Sequence, residues 1–264
     1  MSIQLVITDI DGTLIDHTEN IPEELIRVIE GCRERGIRFS LATGRTEELV
    51  LPIIEKLGIT APCVIANGAG IYHNGTYLVT HGFSAYPILE LIKQADQAGL
   101  TVTFSDEHGE RAIRQTEYVI SHQKLGKRFL SYVDVHAIDW KQKQFQKIMF
   151  MDENRTGQIE WFQKELQKFS DYYWVTTYSD LAVELGPKGC NKATGLKELT
   201  RHLGIPMQQV MACGDFLNDL EMIQEAGLGV AVANAAAQLK EVADYTAKAE
   251  YCYGVIEAVK KFCF

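Results

Sequence analysis

Leu5-Val6-Ile7-Thr8-Asp9-Ile10-Asp11-Gly12-Thr13 is the stretch whose reading decides the fold. A short apolar strand, Leu5 to Thr8, runs straight into two carboxylates and a glycine. In an extended chain residues two apart share a face, so Asp9 and Asp11 point into one crevice while Ile10 points away. Gly12 allows a tight turn. Parallel α/β sheets take their ligands beyond the carboxyl ends of their strands, which is where this acid pair falls. A solvated Asp-Gly turn is the plainer alternative.

Outward from that strand the chain alternates. Residues 22–35 carry Leu25, Ile26, Val28 and Ile29 at helical spacing, and Gly36 ends the pattern. Residues 37–42 read as a second strand, 46–57 as a second helix ended by Gly58, and 62–66 as a third strand. This order argues for an α/β fold with a parallel sheet covered on both faces. The middle has a different rhythm. A helix over 88–98 is followed by strands over 101–104, 111–113, 141–151, 172–177 and 181–185, with a helix over 156–169, as in a separate α+β module with a partly antiparallel sheet. Helix and strand then alternate again, with a strand at Val210 to Cys213, another helix and an apolar stretch over 229–233. The expected division is a core of residues 1–82 and 187–264 interrupted by an insert of residues 83–186.

The 264 residues are 46% hydrophobic, enough to bury a full core, or two smaller ones. Against 35 Asp and Glu stand 26 Lys and Arg, a formal charge of −9, and no strong basic patch interrupts it. Neither nucleic acid nor an anionic membrane is therefore an expected partner. The six cysteines stand singly, without the spacing of a disulfide framework or a zinc site. The beginning lacks the basic start and cleavage site of a signal peptide, and no run of 18 apolar residues exists. A soluble cytoplasmic protein, self-contained as a monomer, is expected.

Three further places carry chemistry. Gly214-Asp215-Phe216-Leu217-Asn218-Asp219 again follows an apolar run. A helix cap would account for one of its acids but not for the cluster. If both acidic segments line one crevice, their like charges call for a cation, and oxygen-only ligands point to a hard ion such as Mg²⁺. Thr43-Gly44-Arg45, between the second strand and second helix, offers a hydroxyl, a compact backbone and N–H groups to an anion. Lys192 lies at a helix start, an unfavourable place for a cation unless an anion is near. Its surroundings are not a P-loop, since Asn191 and Ala193 stand where that motif needs Gly and Ser or Thr.

Taken in order and spacing, Asp9-Ile10-Asp11-Gly12-Thr13, Thr43-Gly44-Arg45, Lys192 and Gly214-Asp215-x-x-Asn218-Asp219 resemble the four motifs of the haloacid dehalogenase-like phosphatases. More narrowly the chain is similar to the Cof-type branch, to which Asn67-Gly68-Ala69, Val232-Ala233-Asn234-Ala235 and Gly254-Val255 also belong in pattern. The resemblance implies a Rossmann-like three-layer α/β core with an inserted α+β cap, and Mg²⁺-dependent hydrolysis of small phosphorylated metabolites. It implies Asp9 as the nucleophile that becomes an aspartyl-phosphate, and Asp11 as general acid and then base. Thr43, Gly44 and Lys192 would hold phosphate oxygens. Asp9, the Asp11 backbone carbonyl and Asp215 would bind Mg²⁺, with Asn218 and Asp219 orienting the site and Arg45 and Asn67 contacting substrate. Ala193 and the pair Phe216-Leu217 depart from the commoner residues of the family without removing a chemical group. The insert is expected to meet the substrate away from phosphorus; its candidates include His108, Arg111, Arg114 and the basic stretch Lys124 to Arg128. The same groups would serve a sugar phosphomutase, or a phospho-acceptor signalling or scaffold protein.

Overall fold

A computed structural model describes residues 2–18, 20–106, 109–124, 131–178 and 180–264. His108, Lys127 and Arg128 lie outside them. In chain order the elements are β1 (Leu5–Thr8), α1 (Glu23–Glu34), β2 (Arg38–Leu41), α2 (Glu47–Leu57), β3 (Cys63–Ile65), β4 (Gly70–His73), β5 (Thr76–Thr80), β6 (Phe83–Ser84), α3 (Leu89–Gln97), β7 (Thr101–Asp106), β8 (Gly109–Ala112), α4 (Glu117–Lys124) and β9 (Ser131–Tyr132). They continue with β10 (Gln144–Phe145), β11 (Lys147–Met151), α5 (Ile159–Gln167), β12 (Tyr173–Tyr178), β13 (Ala182–Pro187), α6 (Lys192–Leu203), β14 (Val210–Gly214), α7 (Leu220–Glu225), β15 (Leu228–Ala231), α8 (Ala237–Val242), β16 (Tyr245–Thr246) and α9 (Tyr251–Phe262). Two compact units result: Met1–Arg45, Val50–Val79 and Asn191–Phe264 form the first, Thr46–Leu49 and Thr80–Cys190 the second.

The first unit is built on a parallel sheet of order β16-β15-β14-β1-β2. Every residue of β1 and of β14 is buried, on both faces, so the sheet lies inside the unit. Helix α1 turns Leu25, Val28, Ile29 and Cys32 inward, the stripe its spacing predicts. The third expected strand joins β2 through only one parallel bridge, Ala42 to Val64. It then pairs antiparallel in a three-stranded β3-β4-β5 sheet. Asn74 and Gly75, at φ 47° and 84°, make the left-handed turn that joins β4 to β5.

In the second unit six strands run β12-β13-β11-β7-β8-β9, antiparallel except for the β8–β9 pair; β6 and β10 form a separate antiparallel pair. Val102, Phe104, Ile148, Phe150, Val183 and Leu185 fill one sheet face and share a core with Ile92 and Ala95 of α3 and Ile159, Phe162 and Leu166 of α5. The strand expected over 141–151 is broken: it starts only at Gln144, and Gln146 separates β10, which pairs with β6, from β11, which pairs with β7 and β13. Among the described residues no helix is long and apolar enough to cross a membrane.

Candidate active site

Asp9 is the first residue past β1, 5% exposed, and its N–H donates to the Cys213 carbonyl at 3.0 Å, so β1 and β14 are still paired where the site begins. The chain then folds back tightly. The Ile10 carbonyl accepts from the N–H groups of Leu14 at 2.8 Å and Ile15 at 2.9 Å, which buries Ile10, Leu14 and Ile15 beneath the loop. Gly12, at φ +88°, stands where a methyl group would come 2.3 Å from Asp215 Oδ2. Only a residue without Cβ lets the two acidic segments approach this closely.

Lys192 reaches the same point from the start of α6. That helix is set by a capping box: the Asn191 side chain accepts from the Thr194 N–H at 2.8 Å, and the Thr194 hydroxyl accepts from the Asn191 N–H at 2.9 Å. Lys192 is 1% exposed, and its Nζ donates to Asp9 Oδ1 and to Asp219 Oδ1, each at 2.6 Å. The other Asp219 oxygen accepts the backbone N–H groups of Asp215 and Phe216 at 3.1 Å, which fixes the loop after β14. The Thr13 hydroxyl donates to Asp215 Oδ1 at 2.6 Å. One oxygen from each of Asp9, Asp215 and Asp219 lies within 4.8 Å of the others.

Three carboxylates facing one ammonium leave a surplus of negative charge. Burial pushes Asp9 well above the usual carboxylate range; Lys192 opposes that rise, while Asp219 and Asp215 add to it. Asp215 is pushed up to about 6 by burial, against the pull of the Thr13 hydroxyl and helped by the Asp219 charge. Burial alone would lower Lys192, but Asp219 and Asp9 outweigh it and hold the ammonium above the ordinary lysine range. Crowded carboxylate oxygens of this kind suit a hard divalent cation.

A second group of predicted residues gathers beside β2 and β3. Thr43 is fully buried, its N–H on the Val64 carbonyl at 3.0 Å and its hydroxyl accepting from the Arg45 N–H at 3.1 Å. Ala66 and Asn67 both adopt left-handed backbone, at φ 48° and 51°, and their N–H groups donate to the carbonyls of Arg45 and Thr43. The Asn67 amide lies across Gly44, where a methyl group would meet it at 3.0 Å. Asn218 Nδ2 makes a long contact of 3.4 Å with Asn67 Oδ1. Arg45 grips Asp11 with two hydrogen bonds, of 2.9 and 2.6 Å. The Asp11 carboxylate is thereby directed to Arg45 and is not one of the three clustered acids.

Sequence reasoning assigned no part to Thr13 or Asn234. Asn234 Nδ2 donates to the Gly12 carbonyl at 2.7 Å, and its Oδ1 accepts the Tyr251 N–H at 2.9 Å. Thr13 stands inside the quoted motif, and a hydroxyl two residues after an acid was the available signal. Asn234 stands in the quoted Val232-Ala233-Asn234-Ala235 pattern, but nothing there announced its reach to Gly12, more than two hundred residues away. Phe216 is 56% exposed.

An α/β core with acids at its strand ends, interrupted by a second unit after β5, is the architecture of the haloacid dehalogenase-like hydrolases. The family model of that description matches residues 6–259, and the chain belongs to this family, in its Cof-type branch. The Bacillus subtilis protein YkrA is 30% identical over 263 residues, spanning 99% of this chain and 98% of its own. The 5-amino-6-(5-phospho-D-ribitylamino)uracil phosphatase YcsE of the same organism is 28% identical over 260 residues, 98% and 96% of the two chains. A haloacid dehalogenase-like hydrolase from Bacteroides thetaiotaomicron shares the fold with a TM-score of 0.85 at 24% identity, over 98% of this chain and 99% of its own. The chain is an enzyme, a phosphatase of small phosphorylated metabolites.

Proposed function

We propose that the phosphatase works in two displacement steps through a phosphoryl group carried on Asp9, with Mg²⁺ as its cofactor. The observation that carries this reading is the buried Lys192, whose ammonium is hydrogen-bonded to both Asp9 and Asp219 and keeps a third N–H donor for a phosphate oxygen. Asp9, Asp215 and the Asp11 backbone carbonyl would hold the ion, which supplies positive charge to the phosphoryl oxygens when bound. Asp219 and Asn218 keep the loop and amide groups around them in place.

In the first step an Asp9 carboxylate oxygen attacks phosphorus, the bond to the leaving oxygen breaks, and Asp11 gives that oxygen a proton. In the second step water attacks phosphorus and gives a proton to Asp11. The bond to Asp9 breaks, releasing inorganic phosphate and restoring both acids. Because the nucleophile is fixed, neither step requires free water to find the ester in line unaided. Negative charge on the transferring oxygens meets Lys192, the Thr43 hydroxyl and the N–H groups around Gly44. Arg45 exchanges Asp11 for substrate oxygen, which releases Asp11 for proton transfer, and Asn67 borders the same edge.

The second unit, expected over 83–186, serves as the specificity domain. One copy of the chain carries every group named here, so a monomer suffices. Six free thiols, four of them buried, fit a reducing cytoplasm. The test is a phosphate-release screen over phosphorylated metabolites with and without Mg²⁺, using Asp9→Asn as blank. The expected result is Mg²⁺-dependent release that the blank lacks. Isomerised sugar phosphate without inorganic phosphate would contradict hydrolysis.

A further inference from the structure

The second unit keeps a cavity on the apolar face of its six-stranded sheet. Phe104 of β7 stands opposite Arg111 of β8, so the two share that face, while Thr103 and Ser105 belong to the other. Between these two side chains and residues 133–145 lies a space of ≈ 410 Å³, a size that takes a small molecule. Phe104, Phe145, Val133 and Ile138 supply apolar walls, Arg111 and Lys143 two cations. Asp139 and Gln142 also line it and are exposed, so it opens to solvent on their side. Every lining residue belongs to the second unit.

The walls are braced. Phe104 and Phe145 are 2% and 1% exposed, with ring centroids 5.3 Å apart, and the Trp140 ring packs on them at 5.9 and 5.5 Å. The Trp140 indole N–H donates to the Val135 carbonyl at 2.8 Å, which stiffens the covering segment. A preformed apolar space with a few polar groups aimed into it is how small-molecule sites are built.

The polar groups decide which molecule. Asp106 is 5% exposed, and Arg111 Nη2 and Lys143 Nζ both meet its Oδ2, the lysine at 2.5 Å. Two cations on one carboxylate leave one positive charge in excess among the three. Arg111 also holds a donor in reserve, because its Nε–H is buried without a hydrogen-bond partner. A guanidinium keeps its proton, so that N–H goes unsatisfied until an acceptor arrives. Asp139 is not the acceptor; its Oδ1 takes the Lys141 N–H at 3.2 Å.

We infer that this cavity binds a small monocarboxylate with an apolar body, an aryl-substituted or branched-chain acid, as a ligand separate from the phosphate ester. The carboxylate takes the Arg111 Nε–H and a second Lys143 N–H, and the hydrocarbon lies against Phe104 and Phe145. One excess charge matches a monoanion. A phosphate dianion exceeds it and meets the Asp139 carboxylate at the mouth. Arg111, which the sequence offers as a substrate contact, thereby serves a different ligand.

The experiment is isothermal titration calorimetry of the full-length protein with hydrocinnamate, with its neutral amide and with acetate, each with and without Mg²⁺. Hydrocinnamate should bind one per chain with Kd below about 1 mM, and equally well in both conditions. The amide, lacking the charge, and acetate, lacking the apolar body, should each bind at least about tenfold more weakly. Arg111→Met should weaken hydrocinnamate about tenfold. Should that variant lose the parent's circular dichroism spectrum, Lys143→Met takes its place, with a loss of about threefold or more. Binding that needs Mg²⁺ would put the acid at the Asp9 and Asp215 cluster and overturn the inference. No binding at about 10 mM, an amide as tight as the acid, or a folded variant with the parent's affinity would overturn it equally. The readout is binding, so each of these failures leaves the hydrolase reading intact.

Discussion

The two units use a β-sheet in opposite ways. In the first, strands β1 and β14 are buried on both faces and carry their chemistry only beyond their ends, at Asp9 and Asp215. In the second, β7 carries polar side chains along its length on one face and apolar ones on the other. The first arrangement holds charged groups in fixed geometry, since Lys192, Asp9 and Asp219 are locked by hydrogen bonds of 2.6 Å. In the second, that polar face is itself buried, with Thr103, Ser105 and Glu110 at most 3% exposed. Charged groups are thus held at strand ends in the first unit, and polar groups along a strand face in the second.

Substitutions can break or sharpen that contrast. The largest effect is expected for Asp9→Asn, which alters a group at a strand end and changes little volume. Turnover should fall at least ~10³-fold with an unchanged far-UV circular dichroism spectrum. Activity within tenfold of the parent rules Asp9 out as nucleophile. Lys192→Met comes next, because it leaves Asp9 and Asp219 buried without their shared cation. The expected cost in denaturant unfolding is about 3 kcal/mol, part of it recovered by Mg²⁺. A variant as stable as the parent would separate the lysine from the acid cluster. Gly12→Ala, which drives a methyl group toward Asp215, should lose roughly 1–2 kcal/mol and weaken Mg²⁺ binding, measured by calorimetric titration.

The smallest effect is on pH dependence, and its sign follows from the raised acids. A carboxyl whose proton affinity is higher in the folded chain stabilises the fold below its unfolded value. It loses that contribution as pH rises through its folded value. For Asp215 the window runs from the ordinary carboxylate range up to about 6. Without divalent cation the melting temperature should therefore decline by a few degrees (~2–5 °C) across that window. Saturating Mg²⁺ should offset the decline, so its stabilising effect grows with pH. A melting temperature that rises over the same window without Mg²⁺ would contradict the raised value.

The sequence disclosed the first unit better than the second, for physical reasons. Strands such as Leu5 to Thr8 are short apolar runs flanked by helical periodicity, and the carboxylates that follow them are local in sequence. The β4–β5 hairpin went unread although Asn74-Gly75 is a strong turn signal. The strand expected over 141–151 is broken at Gln146, and a bulge leaves no mark in hydropathy. At the site, the motifs supplied Asp9, Lys192 and Asp215, but not the Arg45 grip on Asp11 or the reach of Asn234 to Gly12. Such partners meet only after folding, and no spacing announces them.

The most direct test is to mix enzyme, Mg²⁺ and a good substrate, quench in acid within milliseconds, and map the phosphoryl group by peptide mass spectrometry. The account predicts it on the peptide containing Asp9 and absent from Asp9→Asn. Rapid turnover with no phosphorylated peptide, or with the phosphoryl group on another residue, would contradict it.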